Sequence, residues 1–330
     1  MSESAPGGSG PVASNPPAHA DPEELKAIRL RHPWRIVFAT ILVIIAGLFV
    51  YDAAFNRPVY GWAEVGKYVF DVRVIEAAGW TLQLTVYSMI IAVILGIILA
   101  VMRLSPNPVV KSIAWVYLWL FRGTPVYVQL VFWGLVPVIY KSIDLGIPFT
   151  EIMMSITTRD LLNSFWLAVI GLALNEAAYM AEIVRAGLLS VDQGQDEAAV
   201  ALGLGWWHTM TRVILPQAMR VIIPPTGNEV ISMLKTTSLV TAVPFTLEIY
   251  PRTRDIASVT YQPVPMLIVA SLWYLLVTSI LMVGQYYLER HYSRGVSERP
   301  DVMKPTVETN AVTVVGVLDD GGADGSKGKR

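Results

Sequence analysis

The stretch Asp196–Pro216, DEAAVALGLGWWHTMTRVILP, sits between two long apolar runs, yet it holds acids, two glycines, a histidine, an arginine and a terminal proline. Asp196–Leu202 reads as a short helix, with acids in the first turn where the helix dipole favours them and Ala198, Ala199, Val200 and Ala201 continuing it. Gly203 and Gly205 should end it, because glycine accepts the backbone angles of a sharp turn. A second helix is expected from Trp206 to about Ile214, and Pro216 suits the opening of the next one. The product is a helix–turn–helix knob; an amphipathic interfacial loop anchored by Trp206 and Trp207 is the plainer alternative.

Composition sets what surrounds the knob. The 330 residues are 54% hydrophobic and 15% charged, where soluble domains carry about 25% charged residues. The net charge of −1 gives no bulk attraction to nucleic acid, and the absence of cysteine excludes disulfides, thiolate metal sites and thiol catalysis. His208 has no companion at ligand spacing, so no metal is expected. Gly328 and Lys329 do not end a phosphate loop, because Ala323 stands where its first glycine belongs. No nucleophile–histidine–acid set and no paired catalytic carboxylates stand out, so direct enzymatic chemistry is not expected.

A helix needs about 20 mostly apolar residues to cross a bilayer. Six segments qualify: Trp34–Tyr51, Trp80–Met102, Ile113–Ile139, Leu161–Ile183, Ala218–Val243 and Val264–Tyr287. The fold class is therefore all-α, a polytopic membrane bundle. Residues 1–33 and 293–330, rich in Gly, Pro, Ser and charge, read as disordered tails. Lys26, Arg29, Arg31, Arg35, Arg103, Lys111, Arg185 and Arg212 cluster on one set of span flanks, against fewer such as Arg57, Lys67, Arg73 and Lys141 on the other. The positive-inside rule then places both termini, and the knob, in the cytoplasm.

The knob resembles a pattern of bacterial ABC importer permeases: Glu-Ala-Ala, three residues, Gly, nine residues, Ile, one residue, Leu-Pro. Glu197, Ala198, Ala199, Gly203, Leu215 and Pro216 fall in register, with Val213 in the isoleucine place. WTLQLTVYSM (80–89), LFRGTPVYVQLVF (120–132), NEAAYMAEIVRAGL (175–188) and LKTTSLV (234–240) extend the likeness over residues 78–290 and narrow it to the polar amino acid uptake permeases. The resemblance implies a five-span type-1 core, residues 78–290, plus one extra N-terminal span, residues 34–51, in a bacterial cell membrane. It implies a separate ATPase subunit that binds ATP and magnesium, a second permease copy or paralogue, and an extracytoplasmic substrate-binding protein; this chain holds no cofactor. Asp196 to Gly203, with Leu215 and Pro216, would be the segment coupled to the ATPase. An ion-gradient-driven amino acid transporter is the alternative, and a receptor or scaffold a third class.

Charges inside spans cost about 2.5–3.5 kcal/mol on insertion scales and mark cavities or partners. Glu176, Glu182, Glu229 and Lys235 lie within spans, and Arg122 lies nearer the inner end. Glu182 and Arg185, three apart, suit a local ion pair. Arg122, Gly123 and Pro125 suggest a kink or tight packing, with gating as the other reading. Asn175, Glu176 and Tyr179 face Lys235, Thr236, Thr237 and Ser238 as two candidate halves of an amino acid path: Glu176 for an ammonium, Lys235 or the hydroxyls for a carboxylate. An interhelical Glu176–Lys235 pair is the competing reading. Pro224 and Pro225 should bend the fifth span.

Overall fold

A computed structural model describes residues 33–145, 154–158 and 162–292. Both expected disordered tails therefore lie almost wholly outside the described residues. Contacts divide the chain into two units, residues 1–62 and 63–330. In the first, α1 (Pro33–Tyr51) is an apolar helix that continues through a π turn, Asp52–Asn56, to a 3-10 turn at Pro58–Tyr60. Asp52 takes a 2.8 Å bond from Arg57 there.

The second unit is built on α2 (Trp62–Tyr68), α3 (Val72–Leu104), α4 (Pro108–Gly123), α5 (Val126–Ile139), α6 (Ser164–Leu189), α7 (Gln193–Ala201), α8 (Trp206–Thr209), α9 (Leu215–Thr236), α10 (Ile249–Thr260) and α11 (Pro263–Tyr292). Among the described residues four helices are long and apolar enough to cross a membrane: the α1 helix with its π turn, α3, α6 and α11. The expected single span Ile113–Ile139 is instead two helices, α4 and α5, parted at Thr124 and Pro125. A short antiparallel pair, β1 (Ser142–Leu145) with β2 (Met154–Thr157), also departs from the all-α expectation. Nothing in the apolar periodicity of that stretch marked it as strand.

At 33 residues, α3 is about 50 Å long, more than the roughly 30 Å hydrocarbon core requires. Asp71 caps its start, accepting from the Arg73 amide at 2.9 Å. The Arg73 guanidinium bonded to the same carboxyl holds Asp71 below the usual carboxylate range. Its buried positions, from Val74 through Ala77, Thr81, Leu84, Ser88, Ala92 and Gly96 to Leu99, recur every three or four residues and form one stripe. That stripe meets α6. Ser88 donates to the Val169 carbonyl at 3.3 Å and Gly96 touches Met180 and Ala181, so residue numbers rise together and the two helices run parallel. Small residues let the backbones approach, which is how membrane helices associate without a hydrophobic drive.

Gly96 shows how close the seam is: a Cβ there would stand 2.6 Å from the Met180 Cβ and 3.1 Å from the Ala181 amide nitrogen. Gly96→Leu is expected to part the helices and cost about 1–3 kcal/mol. Thermal unfolding of the purified chain in detergent reads this, and an unchanged midpoint would refute the seam.

Candidate functional site

The break between α4 and α5 follows from one missing proton. In a continuous helix the Phe121 carbonyl would accept from residue 125, but Pro125 has no N–H. Two amide side chains replace it: Gln129 Nε2 and Asn175 Nδ2 each donate to the Phe121 carbonyl at 3.0 Å. Asn175 also donates to Gln129 Oε1 at 3.1 Å, and the Thr124 hydroxyl donates to the Leu120 carbonyl at 2.8 Å. In hydrocarbon an unpaired carbonyl costs several kcal/mol, so polar side chains at a break are needed. Asn175, expected on the amino acid path, thus serves the break. Gly123 has nothing within 4 Å of where its Cβ would be, so of the two structural readings the kink is found there and tight packing is not.

Just beyond the break, the expected Glu182–Arg185 pair is present, with Arg185 Nε and an η nitrogen 3.0 and 2.8 Å from Glu182 Oε2. The sequence did not reveal its third member. Arg122 reaches Glu182 Oε1 at 3.9 Å and lies 5.4 Å from the centre of the Tyr179 ring, a cation–π geometry. The kinked half-span is thereby tied to α6.

Glu176 is 7% exposed on α6, and its Oε1 has no hydrogen-bond partner among the described residues. The charged neighbour facing it is Glu229 of α9, not Lys235. This corrects the competing reading of an interhelical Glu176–Lys235 pair. Helical register explains it, because Lys235 shares the exposed side of α9 with Asn228 and Ser232, at steps of four and three residues. The hydroxyls beside Lys235 are mostly turned inward along the chain. Thr236 donates to the Ser232 carbonyl at 3.0 Å and Ser238 to the Lys235 carbonyl at 2.7 Å, while Thr237 is fully buried. Two carboxyls and an exposed ammonium therefore stand on neighbouring parts of α6 and α9.

Thr237 leads to a residue that sequence reasoning missed. Glu248, fully buried at the N-cap of α10, accepts from the Thr81 hydroxyl at 2.9 Å, the Thr237 hydroxyl at 3.1 Å, the Tyr250 amide at 2.8 Å and the Tyr274 hydroxyl. It joins α3, the 3-10 segment Thr237–Ala242, α10 and α11 with no paired cation among the described residues. An acid shortly after LKTTSLV was visible, but its partners lie far away in sequence.

The knob forms a turn earlier than expected. The Asp192 carboxylate caps α7, accepting from the Gly194 amide at 2.7 Å, and Asp196 sits in the first turn. At its end Leu204 N–H bonds the Ala199 carbonyl at 3.0 Å and Gly203 N–H the Val200 carbonyl at 2.9 Å, with Gly203 at φ +75°. That is a Schellman turn, and it needs the left-handed angle glycine supplies. Gly205, by contrast, is extended (φ −69°, ψ 155°) and merely precedes α8, so only one of the two expected glycines breaks the helix. From Trp206 the chain is helical into α9 through a π turn, Met210–Ile214. The wider turn accommodates Pro216, which would otherwise leave a carbonyl unpaired and clash with it. Gln217 Nε2 donates to Gln195 Oε1 at 3.3 Å, tying α9 to α7. Ala199 is buried, while Glu197, Ala198, Leu202 (81% exposed) and Trp206 (70%) face outward. An apolar, acid-edged surface of this kind is what a docking partner covers.

Residues 92–294 match the family described as binding-protein-dependent transport system inner membrane component. The chain belongs to this family. The permease is 58% identical to the arginine transport system permease protein ArgU of Corynebacterium glutamicum, over 87% of each chain. It is 37% identical to the histidine/lysine/arginine/ornithine permease HisM of Salmonella typhimurium, over 66% of this chain and 89% of that one. A solved amino acid ABC transporter chain has 34% identity and a TM-score of 0.54, covering 66% of the permease and 94% of that chain. The permease is thus a multi-pass membrane protein whose part is translocation, and nothing supports the ion-gradient alternative.

Proposed function

We propose that the permease carries a basic amino acid into the cell as the membrane subunit of an ATP-driven ABC importer. The observation that carries this is the acid pair Glu176 and Glu229, one of them buried with an unused oxygen and no ion-paired cation among the described residues. Two acids facing each other in a membrane segment call for a shared proton or a positive charge, and a cationic substrate can supply the second. A guanidinium supplies it with planar paired donors. Lys235, exposed on α9, would receive the substrate carboxylate. The relatives are named for arginine and for histidine, lysine, arginine and ornithine, which agrees.

In this reading the chain crosses the membrane six times, with α4–α5 and the α8–α9 rod completing the four apolar spans, and both termini are cytoplasmic. Asp196, Glu197, Ala198, Ala199 and Gly203, with Leu215 and Pro216, engage an ATPase subunit that binds ATP and magnesium. Two permease chains, identical or paralogous, stand on two ATPase subunits, and an extracytoplasmic binding protein delivers substrate. Arg122, Tyr179, Glu182 and Arg185 tie α4 to α6 at their inner ends. Closure of the ATPases shifts the equilibrium between inward- and outward-open states.

Glu176→Gln keeps the shape and removes the group that can ionise against a bound cation, so uptake of labelled arginine by proteoliposomes holding the full complex should fall about tenfold or more, the equivalent of a charged hydrogen bond. Equal arginine uptake by wild type and variant would overturn the cation site. Because the chain has no cysteine, a single Gln193→Cys should react with an impermeant maleimide only from the cytoplasmic side. Labelling from outside would reverse the topology.

A further inference from the structure

We propose that a cleft beside the inner ends of α3, α4 and α6 binds the phosphate of an anionic phospholipid headgroup. The cleft, about 350 Å³, is lined by Arg103, Trp115, Leu118, Trp119, Arg122 and Glu182 with Gly123. Arg103 Nε is buried and has no hydrogen-bond partner among the described residues. A guanidinium N–H held away from water without an acceptor is costly unless a ligand supplies one. Glu182 is the one carboxylate on the cleft wall, and it is already bonded by Arg185 and faced by Arg122. Arg103 and Arg122 thus line the cleft with a single acid that Arg185 already pairs, and the excess charge is positive.

Depth in the membrane decides which anion fits. The parallel packing of α3 and α6 puts the Leu104 and Leu189 ends on one side, and α6 leads directly into the knob. Arg103, one residue from the end of α3, therefore lies at the level of a span terminus on the knob side. Trp115 and Trp119 stack with rings 6.4 Å apart and 12° from parallel, both more than half exposed. Arginine with amphipathic tryptophan at a span end is the arrangement that meets lipid headgroups, and basic pockets between helices on the cytoplasmic side select anionic ones. Next to them Ile113, Val116 and Leu120 leave an exposed apolar face of α4 for acyl chains. A free phosphate would gain nothing from that face.

The test is native mass spectrometry of the full chain in detergent, titrated with phosphatidylglycerol or phosphatidylcholine. The expected result is a retained phosphatidylglycerol adduct, weakened about tenfold in Arg103→Gln for the loss of one charge-assisted contact. Arg103→Lys, which keeps the charge, should retain most of the binding, with unfolding midpoints confirming that both variants fold. Equal retention of phosphatidylcholine, unchanged binding in Arg103→Gln, or equal loss in the lysine variant would each overturn the proposal. So would displacement of the adduct by millimolar inorganic phosphate, which would mark a site for free anions. The measurement needs no ATPase and no amino acid, so its failure leaves the import reading standing, and the failure of uptake leaves this one.

Discussion

Glu248→Ala is expected to be the most damaging single change in the bundle. It leaves the hydroxyls of Thr81, Thr237 and Tyr274 and the Tyr250 amide, four donors from four segments, without their shared acceptor. Each buried orphan costs about 1–3 kcal/mol, and the hydroxyls offset part of this by turning to local carbonyls: Thr81 already bonds the Ala77 carbonyl at 3.0 Å and Thr237 the Leu234 carbonyl at 2.7 Å. The Tyr274 hydroxyl and the capped amide have no such refuge among the described residues, so a net loss of about 3 kcal/mol or more is the expectation. Glu248→Gln keeps one carbonyl-type acceptor and should lose less. Unfolding of the detergent-purified chain, followed by tryptophan fluorescence, ranks the two. An alanine variant as stable as wild type would show the knot to be idle.

The second large effect falls on transport and spares stability. Glu197→Lys reverses the charge on the outward face of the knob, and Gly203→Val forces a β-branched residue to φ +75°. Such an angle costs about 1–2 kcal/mol for a residue with a Cβ, enough to rearrange an exposed turn and too little to unfold the bundle. Both variants are expected to reach the membrane at normal levels and to lose substrate uptake to background. ATPase activity of the assembled complex should no longer respond to the loaded binding protein. Wild-type uptake by either would remove the knob from the coupling path.

What could be read in advance depended on how local its cause was. The knob was legible because an Ala-rich helix, a glycine stop and a proline start lie within 21 residues, Asp196–Pro216. Even so, its first turn was misplaced, since Asp192 caps from outside the quoted stretch. The Glu182–Arg185 pair was legible for the same reason, three residues on one face. The break at Pro125 was half legible: the proline marked a kink, but hydropathy ran through it and suggested one span. What lets the break stand is Asn175, 54 residues away, which with Gln129 supplies the donor that the Phe121 carbonyl loses to Pro125. Glu229 as the partner of Glu176, and the whole of the Glu248 knot, depend on how α9, α10 and α11 rotate against the older part of the bundle. No spacing rule carries that.

The parallel seam also governs the order of synthesis. α3 leaves the ribosome some sixty residues before the start of α6, so its contact stripe must sit in the membrane without its mate. Thr81 and Thr85 are equipped for the interval, because their hydroxyls bond the Ala77 and Thr81 carbonyls of their own helix at 3.0 and 2.8 Å. Of these three only Ser88 reaches across to α6, at Val169, while Thr81 gains Glu248 once α10 is in place. A nascent chain stalled before α6 therefore holds a helix that is nearly self-sufficient, and little in it would invite a wrong neighbour.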